Sequence, residues 1–467
     1  MHILEIIMYL FVLGLFIVTV YFKALKKSVI LFLWGISWML IITHLVMVGT
    51  RWQLYFLYIA VFLIGIIIYF DIIMRIDLKK GLRRFLMFTS LILFMSSGIT
   101  VFVFPVYNLP EPSGEYLIGT DSFVIEDESR LELYSDELED FRKTKIQVWY
   151  PAETVSGYDK APWIEDGTVV TRALSNDIRL PFFALDHTAK IMSNAYINAP
   201  LSQSQSAYPI VIISHGWRGF KNLHTDYAEE LASLGYIVVS IDHAYGSVAT
   251  VYDENDVAYL NPDALPDRNN TSDFITYANQ LVYTYASDIT VTLDYLEEIN
   301  EVNSGSRFSG KLDINSIGLI GHSTGGGADV AVALDDERIK AVIGLDAWVE
   351  PINQDDVIDG LAIPSLFIRS ETWETGENND HLLTLVEYST NSELYQIEGT
   401  THYDFAMVYM YSPLTPYIGF SGSIDNQYLV TIVKDMIVDF FNDTLINNTV
   451  GEIDPSQWEE VSDVPIN

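Results

Sequence analysis

The amino-acid sequence predicts an α/β protein with a mostly parallel central sheet, preceded by four transmembrane α-helices. Three observations support this prediction. Four long apolar runs fill residues 1–104, short apolar strands alternate with helical stretches over 105–445, and the acidic residues come almost entirely after the apolar region. We therefore divide the 467 residues into a membrane region, 1–104, an extracytoplasmic α/β domain, 105–445, and an acidic C-terminal tail, 446–467, that we expect to pack little.

Each of the four apolar runs is long enough to cross a bilayer, which takes about 20 apolar residues in a helix. The runs are 4–22, 29–49, 53–74 and 85–104. A cleaved signal peptide accounts for one such run but not for four.

The basic residues between the runs predict their orientation, because cytoplasmic loops carry an excess of Lys and Arg. Basic residues lie between the first two runs and between the last two: Lys23, Lys26, Lys27, Arg75, Lys79, Lys80, Arg83 and Arg84. The loop on the opposite side contains only Arg51. We therefore expect a multi-pass protein of a cell membrane, from a bacterial source, with both termini and the whole α/β domain on the extracytoplasmic side.

Three ionisable side chains within or beside the runs raise the possibility of a function in the membrane: Glu5, His44 and Asp71. Glu5 and Asp71 lie near the ends of their runs, where they can reach the interface, and His44 stands alone. We interpret the region as an anchor.

Charge and composition exclude several functions. The first 104 residues hold nine of the 26 Lys and Arg and three of the 62 Asp and Glu, so the rest of the chain is strongly acidic. Such a surface repels phosphate backbones, and we expect no nucleic-acid partner. The absence of cysteine excludes disulfides, thiolate chemistry and Cys-based zinc sites.

The α/β domain is predicted from seven short, apolar, β-rich stretches bounded by turn residues. They are 145–151, 208–214, 236–242, 316–321, 340–346, 364–370 and 393–399. Helical patterns occupy 224–234, 277–299 and 325–334. Strands that alternate with helices in this way indicate a parallel sheet covered on both faces.

The stretch Gly321-His322-Ser323-Thr324-Gly325 has the G-x-S-x-G pattern of a nucleophile elbow, in which a sharp strand-to-helix turn exposes the Ser hydroxyl. The context fits, because a predicted strand precedes the pattern and a small-residue helix follows it. Adjacent residues on a tight turn point in different directions, so His322 is expected to support the turn or flank the site and not to act as the base. The pattern predicts an α/β-hydrolase fold.

An elbow serine needs a base and an orienting acid, which follow it in the chain order Ser, acid, His. Of the later histidines, His381 opens a helical stretch, whereas His402 follows a predicted strand and can reach over the sheet; we assign His402 as the base. Asp346 and Glu371 each end a strand, and the pattern does not decide between them. Three further acids are weaker alternatives because they lie in or just after the elbow helix: Asp329, Asp335 and Asp336.

The oxyanion hole requires backbone N–H donors. The glycine-punctuated stretch SHGWRG, 214–219, follows a predicted strand, and the N–H groups of Trp217 and Thr324 are the expected pair. His215 is expected to shape this loop. Three side chains are candidates for lining the substrate site: Arg218, His322 and Trp348.

The chain resembles the platelet-activating-factor acetylhydrolase family, within the α/β-hydrolase superfamily, in a series of segments in the order of the family. They are LPEPSGEYLIGTDSF (109–123), IQVWYPAE, SHGWRGF, GHSTGG, GLDAW, GTTHYDF and the helix that ends at 441. The resemblance implies a carboxylic ester hydrolase that removes short or oxidised sn-2 acyl groups from phospholipids. It also implies that Ser323 is the nucleophile, His402 the base and Asp346 the acid, with oxyanion donors at Trp217 and Thr324. It implies no cofactor and no metal.

Several alternatives stay open at this stage. The enzyme could be a general carboxylesterase or polyester hydrolase without phospholipid preference, or the domain could be an inactive scaffold in a membrane sensor. The aromatic run 407–420 could border the acyl pocket, touch lipid or belong to the core. The acidic stretch 252–263 lacks the glycine and ligand spacing of a calcium loop, and we interpret it as solvated. The sequence does not predict an oligomeric state.

Overall fold

The structure is a computed structural model that describes residues 3–21, 27–135, 137 and 139–466. The chain forms two compact units. Unit 1 contains the described residues up to Tyr107, together with Phe183–His187 and Tyr411–Pro413, and unit 2 contains the remainder. Lys23 and Lys26, which we used to predict the orientation, lie outside the described residues.

Unit 1 contains four long helices: α1 (Ile3–Tyr21), α2 (Lys27–Met47), α3 (Tyr55–Ile68) and α4 (Lys80–Val103). A short turn, Trp52–Leu54, leads into α3, and a π-helical turn, Tyr69–Met74, continues it. In the described residues these elements give four stretches long and apolar enough to cross a membrane, as predicted. Their outward faces are also apolar, which suits helices surrounded by lipid.

The expectation that His44 stands alone and that Glu5 reaches the interface is wrong. Both side chains are fully buried, and the Nε2 atom of His44 lies 3.3 Å from a carboxylate oxygen of Glu5. The Nη1 atom of Arg51 donates to the same oxygen at 2.6 Å, and the Tyr58 hydroxyl lies 3.2 Å from Nδ1 of His44. The start of α1 thus meets the connection between α2 and α3, a contact between distant parts of the chain that hydropathy does not reveal.

The strands of unit 2 are β1 (Leu117–Leu131), β2 (Phe141–Ala152), β3 (Lys160–Pro162), β4 (Met192–Ile197), β5 (Tyr208–Ser214), β6 (Ile237–Asp242), β7 (Ala249–Val251), β8 (Val257–Tyr259), β9 (Leu312–His322), β10 (Ile339–Leu345), β11 (Ser365–Ser370), β12 (Ser392–Ile397) and β13 (Val461–Asp463). The helices are α5 (Gly167–Asp177), α6 (Thr225–Ser233), α7 (Phe274–Asn300), α8 (Thr324–Asp335), α9 (Gln354–Asp359), α10 (Glu377–Tyr388) and α11 (Asn426–Phe441).

Eleven of the described strands form one sheet in the order β13-β12-β11-β10-β9-β5-β6-β2-β1-β4-β3, and β7 and β8 form a separate hairpin. The six strands from β12 to β6 are parallel to one another, whereas β13 and β2 join their two edges antiparallel. The fold is the predicted α/β architecture. Because the central strands are parallel, their carboxyl ends lie along one edge of the sheet, where ligand sites form.

The core of unit 2 lies on both faces of the sheet. Along β5, Ile210 and Ile212 pack with α7, α8 and α10 on one face, and Val211 and Ile213 pack with α6 and α11 on the other. This alternation follows from the two-residue period of a strand. A strand buried on both faces must be apolar at every position, which is the signal that predicts β5, β6, β9 and β10.

The expectation that residues 446–467 form a loosely packed tail is wrong. β13 pairs antiparallel with β12, and three apolar side chains of this segment are buried in the core: Ile453, Trp458 and Val461. These apolar residues are too widely spaced among acidic ones to give a strand or helix pattern, so local periodicity does not reveal that they are buried.

Candidate active site

The strand-to-helix turn at Ser323 connects β9 to α8 and has the geometry that G-x-S-x-G predicts. Ser323 itself has φ 56° and ψ −120°, a conformation that costs free energy in a residue other than glycine and is found at functional turns. A Cβ atom added at Gly321 would lie 2.5 Å from the Gly326 nitrogen, and one added at Gly325 would lie 2.3 Å from the Ser214 carbonyl oxygen. Larger side chains at either glycine would therefore displace the serine.

The structure brings His402 to Ser323. His402 follows β12 in a short turn, and its Nε2 atom lies 3.0 Å from the Ser323 hydroxyl oxygen. The turn is held by Asp404, whose Oδ2 accepts the N–H groups of Thr401 and Gly422, each at 2.7 Å. The other candidate base, His381, lies on α10 with Nδ1 2.8 Å from the carbonyl oxygen of Glu377 and makes no contact with Ser323.

Asp346 is the acid that contacts His402. It follows β10 with a positive φ of 43°, its side chain is fully buried, and its Oδ2 lies 3.0 Å from Nδ1 of His402. The N–H and Oγ–H of Ser370 also donate to this carboxylate, at 2.7 and 2.6 Å. Glu371 is exposed and instead accepts the N–H of Gly399 at 2.9 Å. The alternative that the pattern left open therefore does not reach the imidazole.

The two residues expected to supply oxyanion donors lie beside Ser323. Thr324 is the first residue of α8, and Trp217 is in the loop that follows β5. A Cβ atom added at Gly216 would lie 2.9 Å from the Ser323 Cβ, so this loop passes directly over the serine. Within the described part of the chain, neither the Trp217 N–H nor the Thr324 N–H donates to a protein acceptor. Both donors are therefore available to a substrate oxygen.

His215 shapes the loop that carries Trp217, as expected. It is fully buried, with Nδ1 2.7 Å from the Gly216 carbonyl oxygen and Nε2 2.8 Å from the Ser247 hydroxyl. Burial and the nearby His243 hold the pKa of His215 well below its usual range. A neutral imidazole that donates through Nδ1 and accepts through Nε2 satisfies both contacts.

The three candidate lining residues occupy different environments. Arg218 is exposed and donates to a carboxylate oxygen of Asp177 at 3.0 Å. Trp348 is half-buried, and its backbone N–H donates to the Ser323 carbonyl at 2.8 Å. His322 is 6% exposed, with Nε2 2.8 Å from the His402 carbonyl oxygen. Burial, followed by the nearby His402, lowers the pKa of His322 well below its usual range. His322 therefore supports the His402 backbone as a neutral donor.

Three residues at the end of β11 and in the turn that follows it also contact Asp346 or His402, and the sequence did not indicate them. Ser370 donates twice to Asp346, the Thr372 hydroxyl accepts the His402 N–H at 3.2 Å, and the Trp373 indole stacks on the His402 ring at 4.1 Å. Their position at the carboxyl end of a central strand is the one signal in the sequence that could have indicated them. No motif marks them.

The two remaining sequence features also have defined positions. Residues 252–263 include the turn between β7 and β8, where an Asp253 oxygen accepts the backbone N–H groups of Asn255 and Asp256 at 2.7 and 3.0 Å. Nowhere in the described ranges do three or more His, Asp or Glu side chains group closely enough to hold a metal ion. The run 407–420 begins buried and ends with Tyr417 and Ile418 exposed.

Comparison with known proteins identifies the family. The sequence model of the family described as "Platelet-activating factor acetylhydrolase, isoform II" matches residues 101–463. The platelet-activating factor acetylhydrolase of Canis lupus familiaris is 24% identical over 348 residues, which cover 69% of this chain and 74% of that protein. That of Cavia porcellus is 24% identical over 284 residues, covering 56% and 62%.

A fungal relative and a solved structure add to the comparison. A protein of Arthroderma benhamiae named "Probable 1-alkyl-2-acetylglycerophosphocholine esterase" is 26% identical over 176 residues, 37% of this chain and 40% of that protein. The structure of a ferulic acid esterase from Streptomyces cinnamoneus matches with a TM-score of 0.61 at 20% identity, over 77% of this chain and all of that one. The structural match supports the fold. The match over 101–463 shows that the chain belongs to the platelet-activating factor acetylhydrolase isoform II family.

Proposed function

We propose that this protein is a membrane-anchored serine ester hydrolase that removes short or oxidised sn-2 acyl groups from phospholipids through an acyl-enzyme. The observation that carries the proposal is the continuous series of hydrogen bonds from Asp346 through His402 to Ser323, at 3.0 Å each, at an elbow within a chain of this family. An inert scaffold has no need for all three side chains in this arrangement.

Acylation begins when Ser323 Oγ attacks the ester carbonyl carbon and Nε2 of His402 takes the hydroxyl proton. The carbonyl oxygen becomes an oxyanion, which the N–H groups of Trp217 and Thr324 stabilise. Asp346 accepts a hydrogen bond from the Nδ1–H group throughout and does not take its proton, so the imidazole keeps the tautomer in which Nε2 can act as the base. The tetrahedral intermediate collapses, His402 gives its proton to the leaving alcohol oxygen, and the acyl group remains on Ser323.

Deacylation repeats these steps with water as the nucleophile. His402 takes a proton from the attacking water and returns it to Ser323 Oγ as the acyl carbon–oxygen bond breaks. The products are a carboxylic acid and, from the first half-reaction, a lysophospholipid. Apart from the substrate and water, both half-reactions need only the side chains of Ser323, His402 and Asp346. The backbone N–H groups of Trp217 and Thr324 complete the site.

We further propose that residues 1–104 anchor the enzyme in a cell membrane and that the chain after residue 105 lies outside the cytoplasm. The distribution of Lys and Arg between the apolar runs supports this orientation. Protease treatment of intact cells tests it. We expect cleavage of the domain after residue 105 without lysis, whereas protection until lysis would contradict the orientation.

The substrate class is tested by comparing kcat/KM for phospholipids with a series of sn-2 acyl lengths against nitrophenyl esters of the same acids. We expect kcat/KM to be highest for the phospholipid with the shortest acyl chain. We also expect that value to exceed kcat/KM for the nitrophenyl ester of the same acid. Equal kcat/KM for a phospholipid and the nitrophenyl ester of the same acid would indicate a general carboxylesterase. In both substrate series S323A is the control, and we expect its turnover to fall by on the order of 10³-fold or more. Failure of a fluorophosphonate probe to label the wild type would instead indicate an inactive scaffold.

A further inference from the structure

The indole of Trp373 lies flat on the catalytic imidazole. Trp373 ends the short turn Glu371–Trp373, which follows β11 directly, and it is half-buried. Its ring centroid is 4.1 Å from that of His402, and the two ring planes differ by 2°. The two rings are stacked in parallel, so a face of the imidazole lies against the π surface of the indole.

The other groups around His402 contact its imidazole in a different geometry from Trp373. The ring of His322 lies 4.6 Å away at 34° and is neutral, because burial lowers its pKa well below the usual range. Tyr403 approaches at 5.6 Å and 65°, nearly perpendicular to the imidazole. Asp346 lies in hydrogen-bond contact with Nδ1. Trp373 is therefore the aromatic residue that presents its face to the imidazole in parallel.

A cation over the face of an aromatic ring is attracted by the negative potential of that face, and Trp gives the strongest attraction. In the proposed mechanism the His402 imidazole acts as the base, and it becomes a cation when it takes the Ser323 proton. The attraction is thus larger in the transition state than in the resting enzyme. Only such differential interactions increase the rate of the chemical step.

We propose that Trp373 stabilises the imidazolium form of His402 during both proton transfers and so raises the rate of acyl transfer. Trp373 contacts His402 and not the reacting atoms, so it is a positioning residue. This inference rests on the proposed function. The orientation of the imidazole has other supports, because Asp346 holds Nδ1 and the Thr372 hydroxyl accepts the His402 backbone N–H.

The test compares W373L and W373F with Y403L, which removes a perpendicular ring beside the same imidazole. For W373L we expect kcat/KM to fall by about 3- to 30-fold, mainly in kcat, and the acid limb of its pH profile to move to lower pH by about half a unit to one unit. For W373F we expect both kcat/KM and the position of the acid limb to lie between those of W373L and the wild type. Y403L should keep the acid limb of the wild type. An unmoved acid limb in W373L would overturn the proposal.

A second measurement keeps the shape of the side chain and removes only its electrostatic attraction. Site-specific incorporation of mono-, di- and trifluorinated tryptophan at position 373 weakens the negative potential of the ring face in steps. We expect log kcat/KM to fall with each added fluorine; values independent of fluorination would refute a cation–π role even if W373L does not fold. S323A separates the two hypotheses, because activity retained in S323A would refute the proposed function itself, whereas an inactive S323A with unmoved Trp373 variants would refute this inference alone.

Discussion

Replacement of Asp346 by Asn tests which acid serves His402, the choice that the sequence pattern left open. Asp346 accepts hydrogen bonds from Nδ1 of His402 at 3.0 Å and from the N–H and Oγ–H of Ser370 at 2.7 and 2.6 Å. An ionised carboxylate can only accept. It therefore fixes a proton on Nδ1 and leaves Nε2 unprotonated, as the base must be.

The magnitude follows from this geometry. The D346N side chain has one accepting oxygen and one donating NH₂ group. When the oxygen accepts the Ser370 N–H, the NH₂ group faces Nδ1 of His402, which must then lose its proton. The proton moves to Nε2, where it blocks transfer from Ser323. We expect kcat/KM to fall by about 10⁴-fold, equivalent to about 5.5 kcal/mol in the activation free energy.

The assay measures kcat/KM for a short-chain nitrophenyl ester and for a short-chain phospholipid, with thermal unfolding to confirm that each variant is folded. The matched control is E371Q, because Glu371 is exposed and its bond to the Gly399 N–H can be kept by the Gln oxygen. We expect E371Q to stay within about threefold of the wild type. A loss of 10⁴-fold in E371Q, or a D346N variant within tenfold of the wild type, would refute the assignment of the acid.

Three further predictions concern the parts of the chain around this site and in the membrane region. E5Q leaves the buried Arg51 guanidinium without its charged partner and should lower the free energy of unfolding by about 3–5 kcal/mol, seen as a lower melting temperature in detergent. G216A places a Cβ atom 2.9 Å from the Ser323 Cβ, so the loop must move and kcat should fall by about 10²- to 10³-fold. D329N should be more stable than the wild type at neutral pH, by a margin that grows with pH.

The sign of the last prediction follows from burial. Asp329 is fully buried on α8, and desolvation raises its pKa well above the usual range. Above about pH 4 the side chain is ionised in the unfolded chain and protonated in the folded one, so folding binds a proton. Stability therefore falls as pH rises from the unfolded pKa to the folded pKa, by about 1.4 kcal/mol for each pH unit. D329N lacks this dependence and can keep the bond from the Ser214 hydroxyl.

Matched controls sharpen these three tests. D71N breaks a pair with Arg83 that is partly exposed and should cost less than about 1 kcal/mol; an equal loss in E5Q and D71N would contradict the view that burial decides the cost. A G216A enzyme with normal kcat would show that the loop does not hold an oxyanion donor. Melting temperatures of D329N and the wild type that differ equally at pH 5 and pH 8 would exclude a protonated Asp329.

The central strands and the sharp turn at Ser323 could be predicted because their physical requirements are local. A strand buried on both faces must be apolar at every position, and the prediction for 208–214 coincides with β5. The turn at Ser323 tolerates only glycine at Gly321 and Gly325, so the constraint is visible in five consecutive residues. His402 could be chosen because it follows a strand, unlike His381.

The remaining features depend on contacts between distant residues. Asp346 and Glu371 end neighbouring strands, and only the packed sheet directs one to His402 and the other to Gly399. The stack of Trp373 on His402 joins two separate turns. The hydrogen bond from Arg51 to Glu5 connects the start of α1 with the segment that follows α2. β13 is a three-residue strand, and its pairing with β12 decides its conformation. Hydropathy and periodicity carry no information on such pairings.

The central claim is that Ser323 is the nucleophile of an ester hydrolase. Reaction of the full-length protein with a fluorophosphonate probe, followed by mass spectrometry of its peptides, tests this claim most directly. We predict one phosphonylated residue, Ser323, with loss of esterase activity in proportion to labelling and no labelling of S323A. Labelling at another residue, or esterase activity that persists after complete labelling of Ser323, would contradict the account.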